Sequence, residues 1–316
     1  MFRRFLRQIR LRWGCLLHWL RQFLGVPKKP AMQPSRDRIS QPGPIPAQNG
    51  NAQRNLTASQ GKAIMDARQL LSEISGCEIA RSHVQNPNRG GPCSEIVATQ
   101  NAESWAEFQV PEPWSGYLLK APILFLSSNP SISNTEAYPM GPSDDSHRWN
   151  FFDNRFDGYW IQNGNRPRNQ DNTYGRAVPY WSGIRNRATE LLGRDAIPGL
   201  DYALSEIVHC KSQREEGVQA AINACATRYL FRLLSCASAT VLVLVGRKAL
   251  AHWNSLNMNP SLPRVPDRDG TDPQQIAGRL RRVVFLGHPT SAEPKLFSHW
   301  VCQTRMEEIR TFIRNA

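Results

Sequence analysis

Four short apolar runs, rich in β-branched and aromatic side chains, restrict the fold of this chain more than any other feature: residues 123–127, 203–208, 241–245 and 283–286. Helical periodicity lies between and around them, near 62–75, 180–192, 217–234, 247–255 and 297–314. Short strands alternating with helices read as a parallel sheet covered on both faces. The polar stretches 128–178 and 256–279 carry too little apolar periodicity for core elements and are expected as loops. In open parallel sheets functional groups gather on the loops that follow the carboxyl ends of the strands, so those loops are the place to look for chemistry.

Two of the runs end abruptly in a polar cluster with a proline. The first reads Ile123-Leu124-Phe125-Leu126-Ser127-Ser128-Asn129-Pro130-Ser131, and the second Val283-Val284-Phe285-Leu286-Gly287-His288-Pro289-Thr290-Ser291. Each sets one hydrogen-bonding side chain, Asn129 or His288, at a strand exit where the proline fixes the following turn. Taken singly, either is a turn or capping residue. Together the repeated constructions tip the balance toward a functional role.

This pair resembles the two signature motifs of the uracil-DNA glycosylase superfamily, an Asn-Pro loop early in the domain and a His-Pro loop late in it. Asn154-Arg155-Phe156 is similar to an element of the mismatch-specific branch. Glu206-Ile207-Val208-His209-Cys210, the helix with Cys225, Tyr229 and Leu230, and the run from Val241 to Ala249 resemble the iron-sulfur branch. The resemblance spans residues 70–315 and keeps the order of the motifs. It implies a three-layer α/β/α sandwich with a central, mainly parallel four-stranded sheet, over a domain at 58–316. It also implies hydrolysis of the N-glycosidic bond of a flipped, deaminated or damaged base in DNA.

Carried onto this chain, the resemblance makes Asn129 the residue that holds the attacking water and His288 the donor that stabilises charge on the departing base. An amide is no general base near neutral pH, so the reaction is expected to be slow. Ser128, Pro130, Phe151, Phe152 and Glu206 are expected to form the base pocket, with Phe151, Phe152 or Trp149 as the stacking platform. Ser131, Lys211, Arg247, Thr290 and Ser291 are expected on DNA phosphates, Arg247 and Lys248 from the start of a helix. Other readings of the same residues are a catalytically weak nucleic-acid-binding or damage-sensing module and a hydrolase of free nucleosides or nucleotides. DNA is the expected partner and the monomer the expected state.

Position 206 departs from the family. Relatives that excise uracil place an asparagine there, whose amide both donates and accepts. An ionised Glu206 only accepts, so uracil is expected to be a poor substrate unless burial protonates the carboxyl. The alternative is that Glu206 caps a helix or pairs with Arg185 or Arg187 and never meets a base.

Seven cysteines are scattered along the chain, an odd number that does not read as a disulfide framework, and a reducing, cytoplasmic setting is expected. By the same resemblance Cys77, Cys93, Cys210 and Cys225 are candidate ligands of a [4Fe-4S] cluster, although the early Cys-x-x-Cys of that branch is broken here and Cys93 takes the missing place. Four buried thiols are the plain alternative.

The net charge of +13 is uneven: residues 1–30 hold eight Lys or Arg and no acid, which leaves only +5 for the rest. Within residues 1–25 apolar side chains from Phe2 to Leu24 recur at steps of three and four, opposite the arginines, as on a basic amphipathic helix. Such a helix fits an anionic membrane surface, a protein partner or its own domain, and the first would make the protein peripheral at the membrane. Residues 26–57, with six prolines and almost no large apolar side chain, read as a disordered linker.

Overall fold

The computed structural model describes residues 58–256 and 262–315. The helix expected over 1–25 and the linker expected over 26–57 lie outside them. Among the described residues no helix is long and apolar enough to cross a membrane.

The chain forms a mixed α/β domain around a six-stranded sheet. Its strands are β1 (Trp114–Ser115), β2 (Ile123–Ser127), β5 (Tyr202–Glu206), β6 (Val241–Val245), β7 (Gln274–Ile276) and β8 (Arg279–Leu286), in the order β1-β5-β2-β6-β8-β7. β5, β2, β6 and β8 run parallel to their neighbours, whereas the short edge strands β1 and β7 are antiparallel. The sheet therefore has six strands where four were expected. Every residue of β2, β5 and β6 is buried, which is the signature of parallel strands covered on both faces.

The edge strand β7 arises within 256–279, where composition reads as loop. β8 begins at Arg279 because a two-residue turn, Ala277-Gly278, folds it back on β7; both turn residues have positive φ, 51° and 79°, as a tight hairpin requires. Residues 128–178 are likewise less irregular than expected. They contain the small hairpin β3 (Ile161–Gln162) and β4 (Arg166–Pro167). They also contain a helix at Asp145–Asp153, capped by Asp144, whose side chain accepts from the His147 N–H at 2.7 Å. That helix shows little apolar periodicity because Arg148 shares its buried face with Phe151 and Phe152.

In chain order the helices are α1 (Ala58–Ser75), α2 (Glu78–Gln85), α3 (Ser94–Ala98), α4 (Asp145–Asp153), α5 (Pro179–Leu192), α6 (Val218–Cys225), α7 (Phe231–Cys236), α8 (Gly246–Ser255) and α9 (Gln303–Arg314). α6 and α7 are joined by a π turn at Ala226–Leu230. α5 starts with proline in its first turn and stops at Gly193, which is left-handed at φ 70°.

β2 lies between β5 and β6, so the chain leaves β2 to one side and later returns to the other. This reversal opens a crevice at the carboxyl ends of the central strands. Ser127 pairs with Glu206 and Val245 with Leu286, so the loops carrying Asn129 and His288, the last residue of β5, Glu206, and the start of α8 with Arg247 stand at the same edge of the sheet.

Candidate functional site

At that edge lies a cleft of about 340 Å³. The two proline loops meet here: Asn129, Pro130 and Ser131 stand opposite His288 and Thr290, with Glu206 and Lys211 contributed by the end of β5 and the loop after it. Ser128 faces away, into a second hollow of about 350 Å³ behind Asn129 and His288. Its hydroxyl is buried without a partner.

Asn129 is held in one orientation. Its Nδ2 donates to the Pro130 carbonyl and to Ser212 Oγ, both at 2.9 Å. A carbonyl can only accept, so the nitrogen must face Pro130 and the side-chain oxygen remains as an unused acceptor.

His288 is fixed in a comparable way. The Thr290 N–H points at Nδ1 over 3.4 Å, and the Thr290 hydroxyl stands 3.0 Å from it. Nδ1 therefore accepts, and in the neutral ring the proton sits on Nε2. Burial lowers the basicity of the imidazole below the ordinary histidine value, with Glu215 opposing. The ring stacks on Tyr180, centroids 5.3 Å apart. α5, which carries Tyr180, presses on the His288 loop because position 183 has no side chain; a Cβ there would stand 2.5 Å from Pro289.

The inner wall is ionic. Arg155 Nη2 donates to Glu136 at 2.7 Å, and Lys211 Nζ lies 3.6 Å from Glu112, with all four side chains largely buried. Burial works to raise the Glu112 carboxyl, yet Lys211, Arg155 and hydrogen bonds from Ser115 and Tyr138 hold it below its usual value. Burial pulls the Lys211 ammonium down, opposed by Glu112 and Glu136. Glu206, 7% exposed, pairs with nothing: its Oε2 is sealed from solvent without a hydrogen-bond partner. Burial first, and then the neighbouring Glu112 charge, push its carboxyl well above the usual carboxylate range. Arg187 is taken by Glu190, and Arg185 donates to the Asn163 carbonyl, so neither is its partner.

Several expected placements do not hold. Phe151 and Phe152 are 1% and 0% exposed, locked in an edge-to-face cluster with Tyr138, and line no part of the cleft. Trp149 packs edge-on to Trp114 under Arg68, also away from the cleft. The aromatic rings that do line it are Tyr180 and Trp181, which the helical pattern of α5 does not distinguish from ordinary packing residues. Lys211 is 2% exposed over the Tyr138 ring, so it serves the buried ion pair and not a phosphate on the surface. Glu112, Glu136 and Ser212 were not singled out at all; each is a lone polar residue whose partner is distant in sequence.

Around the second hollow, Arg247 is bound to Glu293 at 2.9 Å and Asp267 at 3.2 Å, and Lys248 to Glu215 at 2.5 Å. A phosphate there would compete with these carboxylates. Ser291 lines the same hollow and donates to the His288 carbonyl at 2.9 Å, while Ser131 and Thr290 are exposed at the mouth of the cleft.

Four thiols lie close enough together to act on one another. Cys77 and Cys93 immediately precede α2 and α3, Cys210 lies in the loop after β5, and Cys225 ends α6; all four are buried and unbonded. Burial raises Cys93 to about 11, with Cys77 adding to it. Burial also raises Cys225 to about 12, with the His209 N–H opposing and Cys77 and Cys93 adding. Cys210 is pushed well above its ordinary value by burial and by the other three. Among the described residues no His, Cys, Asp or Glu group is disposed to hold a single metal ion. A cubane cluster holds its thiolates farther apart than one ion does, and four sulfur donors from four elements, with no oxygen ligand among them, suit it.

Comparison of the chain with models of known protein families and with curated proteins gives no match.

Proposed function

We propose that the chain is a DNA glycosylase of the uracil-DNA glycosylase superfamily, in a three-layer α/β/α arrangement, acting as a monomer on a base flipped out of DNA. One observation carries this reading. An unused amide oxygen, Asn129 Oδ1, and an N–H donor, His288 Nε2, are both locked by their neighbours at the rim of one cleft.

The chemistry follows from those two atoms. Asn129 Oδ1 accepts a hydrogen bond from a water and orients it toward C1′ of the sugar. As the glycosidic bond breaks, its electron pair leaves with the base and the water oxygen bonds to C1′. His288 Nε2–H meets the base carbonyl on which negative charge develops, and the water's proton ends on the released base. Tyr180 and Trp181 supply aromatic surface for the base. Cys77, Cys93, Cys210 and Cys225 would hold a [4Fe-4S] cluster, which when bound ties α2, α3, α6 and the loop after β5 together.

Abasic-site formation on single- and double-stranded oligonucleotides carrying a panel of modified bases tests the reading. Asn129→Ala and His288→Ala should each lower single-turnover cleavage by about 10²-fold or more, with the melting temperature nearly unchanged. Equal rates in both variants and the wild type would dismiss the assignment.

A further inference from the structure

The opposite edge of the sheet carries a third hollow, of about 760 Å³, more than twice the 340 Å³ of the cleft. Lys120 and Ser238 on its wall lie just ahead of β2 and β6, and Arg279 opens β8. It therefore stands at the amino ends of strands whose carboxyl ends bear the cleft. α1 contributes Arg68 to it, and α4 contributes Trp149 and Asp153. A space of this size suits a small organic molecule. The glycosylase chemistry makes no use of it.

Three kinds of group build the wall. Arg68, Lys120 and Arg279 are exposed cations, and among the described residues none of them has a carboxylate within ion-pair distance. Two of them rest on aromatic rings, Arg68 4.4 Å from the centre of Trp149 and Lys120 4.9 Å from that of Tyr117. The turn that presents Lys120 is tied down. Its own N–H donates to the Tyr117 carbonyl at 2.9 Å, the Ser238 N–H to that of Leu118 at 3.0 Å, and the Ser238 hydroxyl to that of Leu119 at 2.6 Å. The third kind is carboxylate. Asp66 is exposed, whereas Asp153 is half-buried, and burial raises it to about 6 against Trp114, Lys120 and Arg68. Above that pH Asp153 is ionised and only accepts hydrogen bonds.

Each kind of group asks for something different in a ligand. Three cations against two carboxylates favour an anion, the rings favour a flat ring, and an ionised acceptor in the same wall favours hydroxyl donors. A ribonucleotide carries all of these, since the hydroxyls of a ribose are a recognised match for a carboxylate. An inorganic anion would leave the rings and Asp153 unused. We propose that this hollow binds a ribonucleoside 5′-monophosphate, with its phosphate on Lys120 and Arg279, its base against Trp149 and Tyr117, and its ribose hydroxyls on Asp153. The inference does not rest on the glycosylase reading, because the hollow and the cleft share no residue.

Isothermal titration calorimetry of the full chain with adenosine 5′-monophosphate tests the proposal; stacking is tolerant of the base, so one purine serves. Adenosine, 2′,3′-dideoxyadenosine 5′-monophosphate and inorganic phosphate are the comparison ligands. At about pH 8, where Asp153 is ionised, wild-type protein should bind the monophosphate at least ~10-fold more tightly than any of the three, because each lacks a charge-assisted contact or the ring. Lys120→Met combined with Arg279→Met should bring the monophosphate down to the level of adenosine. Asp153→Ala, checked by its melting curve, should erase the preference over the dideoxy ligand and keep that over adenosine. His288→Ala should bind the monophosphate as the wild type does.

No binding of the monophosphate by wild type, or inorganic phosphate bound as tightly as the nucleotide, would overturn the proposal. So would a preference over the dideoxy ligand that survives in Asp153→Ala, or binding that is lost in His288→Ala, which would put the nucleotide in the cleft. Should Asp153→Ala fail to fold, equal binding of the two nucleotides by wild type still decides against it.

Discussion

Arg155 is 1% exposed and forms its ion pair with Glu136; its guanidinium stands 4.2 Å from the Phe151 ring centre and 5.6 Å from that of Trp181. Removing it leaves Glu136 buried and unmatched. We expect Arg155→Met to cost about 3–5 kcal/mol in urea denaturation, and the pair Arg155→Met with Glu136→Gln to recover part of that loss. A full-cost double variant would show that ring packing, and not the ion pair, makes Arg155 necessary. At this scale the sequence was readable where a residue ends a strand. Asn129 and His288 could be located because the apolar run before each is continuous and the proline after each stops it. Phe151 and Phe152 misled, since adjacent aromatic side chains look alike whether they stack on a base or on Tyr138. The sequence allowed for a buried Glu206 but not for its surroundings: burial raises the carboxyl first, and Glu112, a residue far away in the chain and not marked by any motif, adds to it.

β2, β5 and β6 were legible as elements because every residue in them is buried, whereas of β8 only the apolar half, residues 283–286, was, since it opens on exposed Arg279 and Leu280. β1 and β7 were not, since two or three residues at an edge hold too few apolar side chains to stand out. What fastens β8 to its surroundings was also hidden. Arg281 is 0% exposed and gives its protons to main-chain carbonyls, of Ala239 at 2.8 Å, of Leu234 and Ala237 at 2.7 Å each, and of Ile276. One side chain thus joins β8 to β7, to α7 and to the segment between α7 and β6. Arg281→Leu strands four acceptors at ~1–3 kcal/mol for each group left unsatisfied, so chemical denaturation should show a loss of at least ~3 kcal/mol. A loss below ~1 kcal/mol would mean that water replaces the guanidinium.

Residues Asn55–Ala316 make up one compact unit that contains the sheet, the cleft and the four buried thiols. We expect a chain beginning at Asn55 to unfold cooperatively, monitored by circular dichroism, and to contain iron when purified without oxygen. Ser substitution at Cys77, Cys93, Cys210 or Cys225 should lower the iron content alike, while Cys302→Ser, at an exposed position, leaves it unchanged. Colourless, iron-free protein prepared in this way would remove the cluster from the proposal. The order of the strands has another consequence, which concerns synthesis. β2 lies at the centre of the sheet, yet its two neighbours, β5 and β6, follow much later in the chain. At ribosomal speeds the gap from Ser127 to Tyr202 takes roughly 4–15 s to translate, during which the most apolar strand of the first half of the domain has no pairing partner. The nascent chain therefore carries a sticky, unmatched segment through a defined interval, and shielding by a chaperone in those seconds should matter more to its yield than the stability of the finished fold.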